Sequence, residues 1–373
     1  MGFILLIASC IDPYNPPQIT DADNYLVVDG FLDSSTGEGT VTLSQTISLS
    51  DGDQIPYVND AQVQLELKEG GVYPFVFSGN GAYKISSIVL ADKQESRIQI
   101  KWNGKTYYSK FVVSNTTPPI DSITWDLTPS SLDIKITTHD SNDAGRYYRW
   151  KYVETYEYVS AFQSGYYYDV DTEEVKYRDT DKGIYRCYAT VPSTNVFVAT
   201  TKGLNENRID RVKLVSMLPD DFRVAIRYSL FVTQLSISKE EYDFWNEIKK
   251  STESIGTIFD PLPSRVLGNL YSESSIGEPV LGYFTVSSAV SQRIFIDNSE
   301  LPRILYRSSF TGCHYSQIDS LSLEEFFQRP TSILIISPIT DMAGNTIGYT
   351  SAPTNCIDCR TRNNGKTTKP DFW

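Results

Sequence analysis

Residues 97–108 read Arg97-Ile98-Gln99-Ile100-Lys101-Trp102-Asn103-Gly104-Lys105-Thr106-Tyr107-Tyr108. Two alternating runs flank Asn103-Gly104, and both central residues tolerate the positive φ that a tight hairpin turn needs. The stretch therefore predicts an antiparallel hairpin, and its surroundings repeat the pattern. Tyr25–Phe31 reads as a strand, and Ala61–Leu67 alternates cleanly before turning at Glu69-Gly70-Gly71 into Val72–Phe77. Short strands punctuated by turns over 24–115 predict an immunoglobulin-like β-sandwich. Thr116-Thr117-Pro118-Pro119 then reads as a linker, because paired prolines cannot continue a central strand.

The following region, 120–352, is also strand-rich. Leu132–Thr137 alternates, as does Val224–Val232. One helix is expected near 238–254, where Ser238 and Glu241 have capping-box spacing. Phe244, Trp245 and Ile248 share a face of that helix, which should dock on a sheet through its tryptophan. The fold class expected is mainly β: the N-terminal sandwich, then a larger β-rich domain, sandwich or open barrel, carrying one amphipathic helix. Residues 353–373 read as a cysteine-containing C-terminal tail, with Arg360, Arg362, Lys366 and Lys369 solvated.

The N-terminus carries a different signal. Phe3–Ala8 is apolar but far shorter than the roughly 20 residues of a membrane-spanning helix. It ends at Ile7-Ala8-Ser9-Cys10, a branched aliphatic and two small residues before a cysteine, which resembles the bacterial lipobox. Residues 1–10 then read as a lipoprotein signal remnant and 11–23 as a proline-rich tether. A buried first strand is the competing reading. Acyl chains on Cys10 would anchor the chain stably, since each buried methylene contributes about 0.8 kcal/mol.

Composition narrows the function classes. The chain has 373 residues, with 46 acidic and 33 basic side chains and a net charge of −13. That balance disfavours nucleic acid as a partner. With 25 Tyr and only 3 Met, the composition suits an extracellular β protein. Five cysteines is an odd count. Setting Cys10 aside for lipid leaves Cys187, Cys313, Cys356 and Cys359, enough for two disulfides of open connectivity in an exported protein. A zinc or thioredoxin-like reading of Cys356-Ile357-Asp358-Cys359 lacks a second CxxC and the strand–helix context.

No catalytic set emerges. The two histidines, His139 and His314, lack HExxH spacing, and no GxSxG elbow, Walker loop or GxGxxG is present. His139-Asp140-Ser141-Asn142-Asp143-Ala144-Gly145 resembles half a calcium loop but reads better as an Asx-rich turn. The acidic run Asp169–Glu174 reads as a solvated hairpin tip. No cofactor and no metal are expected. The segment RYYRWKYVETYEYVSAFQSGYYYD, 146–169, places Tyr148, Trp150, Tyr152, Glu154, Tyr156 and Tyr158 on one face of a strand. Aromatic strand residues most often pack across a sheet, so a core face is the first reading. A ligand or partner surface of Tyr148, Trp150, Tyr152, Tyr156 and Tyr158 is the second. Glu154, an acid within that row, calls for a partner such as Arg223 or Arg227.

Taken together, five ordered segments resemble one family. They are IASCIDPYNP (7–16), RYSLFVTQLSISKEEYDFWNEIKK (227–250), GTIFDPLPSRVLGNL (256–270), VLGYFTVSSAVSQRIFI (280–296) and CIDCRTRNNGKTTKPDFW (356–373). The chain is similar to domain-of-unknown-function family 4249, surface lipoproteins of Bacteroidetes-type bacteria. The resemblance implies an outer-membrane lipoprotein anchored through Cys10, facing the cell surface and associated with a TonB-dependent transporter. On that reading the chain is a non-catalytic accessory or binding subunit. The alternative is a stand-alone lipoprotein that captures a glycan or peptide on the aromatic face.

Overall fold

The computed structural model describes residues 24–47, 55–91, 93–179, 183–253, 266–275, 277–302, 310–319, 323, 327 and 332–373. Residues 1–23, including the Cys10 lipidation call and the proline-rich tether, lie outside the described residues. The fold is mainly β, as expected.

The decisive hairpin forms as read. Glu95–Trp102 pairs antiparallel with Lys105–Ser109, in register Gln99↔Tyr108 and Trp102↔Lys105. Asn103 (φ 48°) and Gly104 (φ 71°) make the turn, both in the left-handed region. This hairpin sits inside one sheet of a sandwich, between Gln62–Leu67 and Leu270–Ser272. The facing sheet runs in the order Leu281–Ser287, Leu26–Asp33, Glu38–Gln45, Ala82–Ile85, Val76–Gly79. Aliphatic side chains such as Val28, Leu32, Leu43, Leu65, Ile98 and Ile100 fill the space between the sheets.

Two features of this sandwich depart from the expected 24–115 unit. The predicted strand 72–77 is split into Val72–Pro74 and Val76–Gly79, which belong to opposite sheets. Between them Phe75 turns inward and is buried. The second departure is that the sheets recruit strands from far along the chain. Leu281–Ser287 lies parallel to Leu26–Asp33, a pairing that needs a long crossover. Gly282 permits the approach: its φ is +99°, and a Cβ there would sit 1.8 Å from the Val28 carbonyl oxygen.

The larger region packs a three-stranded sheet, Ile120–Leu127, Leu132–His139 and Arg208–Met217, against a second sheet. That second sheet orders Arg186–Pro192, Tyr147–Val159, Arg227–Ser236 and Ala289–Asp297, with Phe197–Thr200 also paired to the long Tyr147–Val159 strand. Among the described residues no sheet closes into a barrel. A smaller sheet of Ser316–Asp319, Ile333–Thr340 and Thr346–Pro353 stands beside them. The strand predicted from Val224 begins at Arg227, because the Asp221 side chain caps a short 3-10 turn at Phe222–Val224.

The helix spans Lys239–Glu253. Its capping box is only half made. The Glu241 backbone N–H donates to Ser238 Oγ at 3.1 Å. The Glu241 carboxylate, however, accepts from Thr285 Oγ1 at 2.6 Å and Trp245 Nε1 at 3.1 Å. Burial between the helix and the N-terminal sandwich gives that side chain nearer donors than its own cap. Trp245 docks as expected, with the Arg149 guanidinium stacked 3.4 Å from its ring centroid, and Phe244 packs on Tyr283.

The predicted linker at 116–119 is a bonded junction. Two of the chain's crossings between the sandwiches, at Thr117 and at Ser287-Ser288, run side by side. Thr117 N–H donates to Ser288 Oγ at 2.8 Å, and Ser236 N–H donates to Thr117 Oγ1 at 2.8 Å. Ser287 Oγ donates to the Ser236 carbonyl at 2.9 Å. Buried hydroxyls there satisfy backbone groups at the junction.

Candidate functional site

The long strand Tyr147–Val159 organises the larger region, and both of its faces are covered. On one face lie the aromatic residues singled out in the sequence, and they are core. Tyr148 and Trp150 are 0% and 1% exposed, Tyr152, Tyr156 and Tyr158 between 3% and 8%. The expected ligand or partner surface of Tyr148, Trp150, Tyr152, Tyr156 and Tyr158 is thus corrected to an interior face. The reason is the facing sheet, whose Ile123, Ile134, Ile136 and Val215 join the same cluster. Buried tyrosine and tryptophan need partners for their polar tips. Tyr148 Oη donates to Asn207 Oδ1 at 2.9 Å and Trp150 Nε1 to Gln234 Oε1 at 2.8 Å. Tyr158 Oη donates to the Cys359 and Arg362 carbonyls at 2.8 and 2.6 Å.

The opposite face carries Arg149 under the helix tryptophan and Glu157 under the C-terminus. Trp373 Nε1 donates to Glu157 Oε2 at 3.1 Å, and Arg186 pairs with the same carboxylate. The 353–373 segment is therefore bonded to the larger region, while Arg360, Lys366 and Lys369 stay exposed as expected. Lys366 exchanges backbone hydrogen bonds with Tyr188, and Arg360 pairs with Asp358 at 2.6 Å. Arg362 lies 4.5 Å above the Phe310 ring.

The four cysteines form two disulfides, Cys187–Cys359 and Cys313–Cys356. The neighbours in Cys356-Ile357-Asp358-Cys359 do not pair with each other. A short helix, Thr354–Ile357, aims Cys356 at the 313 segment and leaves Cys359 for the strand carrying Cys187. Both bridges fasten the C-terminal segment to the larger region.

Glu154 breaks the aromatic row where the two sheets part. Arg223 Nη1 donates to Glu154 Oε1 at 2.8 Å, and Tyr228 Oη donates to the same oxygen at 2.6 Å. Arg223 also donates from Nε and Nη2 to the Asp221 carboxylate at 3.1 and 2.9 Å. Burial works against the Arg223 charge, but the Asp221 hydrogen bonds and the Glu154 charge outweigh it and hold the guanidinium above its ordinary value. Burial, then the Glu154 charge, pushes the Tyr152 hydroxyl up to about 12. For the same two reasons Tyr228 rises well above its ordinary value.

These groups open onto a cleft of about 490 Å³, whose walls include Tyr152, Glu154, Asn195, Phe197, Lys213 and Arg223. The sequence pointed to Glu154 and to Arg223 as its partner. It did not point to the 191–197 wall, which carries only Val, Pro, Ser, Thr, Asn and Phe and no motif. The Asp169–Glu174 run is a hairpin tip, where Asp169 pairs with Lys176 at 2.6 Å. At 139–145 the Asp140 carboxylate accepts from the backbone N–H groups of Asn142, Ala144 and Gly145, as an Asx turn does. Among the described residues no group of three His, Cys, Asp or Glu is placed to hold a metal ion.

No curated protein matches the chain. A family model described as a domain of unknown function (DUF4249) matches residues 11–293, well over half of the length, and the chain belongs to that family.

Proposed function

We propose that the chain is a non-catalytic accessory subunit, held at the outer membrane by lipid on Cys10 and working with a TonB-dependent transporter. The observation that carries this reading is one edge of the N-terminal sandwich. Val72–Pro74 and Val76–Gly79 are the last strands of the two sheets on the same side. Val72, Tyr73, Val76 and Phe77 all stand exposed along it, Val76 at 70%. Edge strands present unpaired backbone groups, and free proteins usually blunt them with charge or bulges. An apolar edge on both sheets at once suits a surface covered by a partner. A membrane tether complements such a contact by raising its effective concentration, so a modest interface suffices.

The competing reading, capture of a ligand on a broad aromatic platform, loses that platform, because Tyr148, Trp150, Tyr156 and Tyr158 face inward and only Tyr152 of the row borders a cleft. Glu154, the acid that sequence alone left open, is engaged by Arg223 and Tyr228. Both bonds fall on one carboxylate oxygen, and the arrangement calls for no acid–base chemistry.

The test is a double substitution at the edge, Val76→Lys with Phe77→Lys, in the full lipid-anchored chain. Both positions are exposed, so the fold should melt as before. Recovery of a transporter barrel with the variant from detergent-solubilised membranes should fall several-fold. Undiminished recovery would remove the edge from the interface.

A further inference from the structure

We infer that the cleft between the two sheets of the larger region is a binding site for a small neutral polyhydroxylated ligand, a carbohydrate of one or two rings. The inference stands on the cleft alone and needs no transporter partner.

The polar groups in the cleft are only half used. Glu154 Oε1 accepts two hydrogen bonds, from Arg223 and Tyr228, while Oε2 accepts none from the described residues. That oxygen is not sealed from solvent, since it is absent from the buried atoms lacking a partner. The Tyr152 hydroxyl likewise bonds to no described residue and opens onto the same space. A guanidinium has five N–H donors. The three Arg223 contacts to Glu154 and Asp221 leave the remainder free to meet a ligand.

Charge decides the ligand class. Glu154 and Asp221 are paired with Arg223 at 2.8 and 2.9 Å. Lys213 lies 3.5 Å from Asp133. An ionic ligand would find these charges already largely countered, and would give up its own hydration without gaining a full counter-charge, which is costly. A neutral hydroxyl, both donor and acceptor, adds to them instead: it donates to Glu154 Oε2 and accepts from Arg223 or Tyr152. Asn195 offers a further donor and acceptor at the rim.

The apolar part of the cleft matches the other half of a sugar. Tyr152 and Phe197 stand with ring centroids 5.3 Å apart, tilted at 45°, and both line the wall. Phe197, only partly buried beside the packed Tyr152 ring, offers apolar contact to the C–H face of a pyranose while hydroxyls reach the polar groups. The volume of about 490 Å³ lies in the range of small-molecule sites and is too small for a folded partner.

The position is built, not incidental. Tyr228 and Trp150 are almost fully buried behind the site, and the strand pairing Glu154↔Leu230 fixes the carboxylate relative to Tyr228. A preorganised carboxylate–arginine pair costs little further ordering when a ligand arrives.

The experiment is isothermal titration of the full chain with glucose, maltose, cellobiose, mannobiose and xylobiose, with inorganic phosphate and a tripeptide as ionic controls. At least one saccharide should bind saturably while both controls do not. Glu154→Gln should weaken that saccharide by about tenfold, the usual loss when a hydrogen bond to a charged acceptor goes. Tyr152→Phe, which removes only the hydroxyl, should weaken it by a smaller factor with the thermal midpoint retained. Because Tyr152→Phe keeps the ring in its packing, it reads the site even where Glu154→Gln perturbs folding. Absence of heat with every saccharide would overturn the proposal, as would saccharide binding untouched by both variants or preferential binding of phosphate or peptide. The transporter reading fails separately, because it predicts that Glu154→Gln still copurifies with the barrel.

Discussion

The two sandwiches are built on different chemistry. The N-terminal one is filled by aliphatic side chains, contains no cysteine among its described residues, and closes by borrowing Leu281–Ser287 and Leu270–Ser272 from far along the chain. The larger one is filled by tyrosine and tryptophan whose polar tips are bonded to buried partners, and it is clamped by two disulfides. Non-directional burial tolerates substitution of shape-conserving aliphatics. A bonded aromatic core fixes each ring in one place, and with it the walls of the cleft at its margin. On the readings proposed above, the first region offers the edge and the second the site, joined through the bonded crossings at Thr117 and Ser287.

The contrast can be broken from either side, and hydrogen exchange read by region shows which side gives. The largest effect is expected of Trp150→Ala. It opens a cavity in the aromatic core and strands the buried Gln234 amide that its indole bonded. A loss of about 3–5 kcal/mol follows, with protection lost first along Tyr147–Val159 and retained in Leu26–Asp33.

Gly282→Ala attacks the other region. The new Cβ would collide with the Val28 carbonyl in a backbone conformation with φ of +99°. A cost of roughly 3 kcal/mol is expected, with exchange rising first in Leu26–Asp33. Equal loss in both regions would show that the double crossing makes them one cooperative unit.

Replacing Cys187 and Cys359 by serine removes a bridge spanning 172 residues. The expected loss is about 2–4 kcal/mol, read as a lower thermal midpoint and early exchange at the C-terminal segment. The N-terminal sandwich should keep its protection.

The smallest expected effect sharpens the boundary between the regions. Glu241 is 2% exposed, and the groups facing it are Thr285 and Tyr283 from the sandwich, Trp245 from the helix, and Arg149 and Lys151 from the long strand. Burial raises its carboxyl above the ordinary value of 4.5, against the opposing pull of the Thr285 hydrogen bond and Arg149. A carboxyl raised in the folded state favours folding most when protonated. Its contribution is fully present below the unfolded value and is lost as pH rises through the folded one. Relative to Glu241→Gln, the native chain should therefore gain thermal stability as pH falls from neutral toward 4.5. A constant difference across that range would mean Glu241 titrates normally.

Local chemistry made part of this legible. Asn103-Gly104 wrote its own turn, and Ser238 marked the helix start, because each signal lies within a few residues. Period-two spacing put the aromatics on one face, but alternation does not say whether a face meets solvent or another sheet. Glu154 announced a partner because an acid in an apolar row needs one, and Arg223 supplied it. The parallel pairing of Leu281–Ser287 with Leu26–Asp33 left no local trace, since it joins residues some two hundred and fifty positions apart. The capping box misled for a related reason: Thr285, distant in sequence, outbid the local cap for the Glu241 carboxylate.

The most direct test of the account is an affinity pull-down of the native chain from detergent-solubilised outer membranes, with a tag in an exposed loop that spares Cys10 and Trp373. The account predicts a TonB-dependent transporter barrel recovered near one-to-one, and lost when Cys10→Ala releases the chain from the membrane. Recovery of the chain by itself, from membranes in which it is abundant and lipidated, would contradict it.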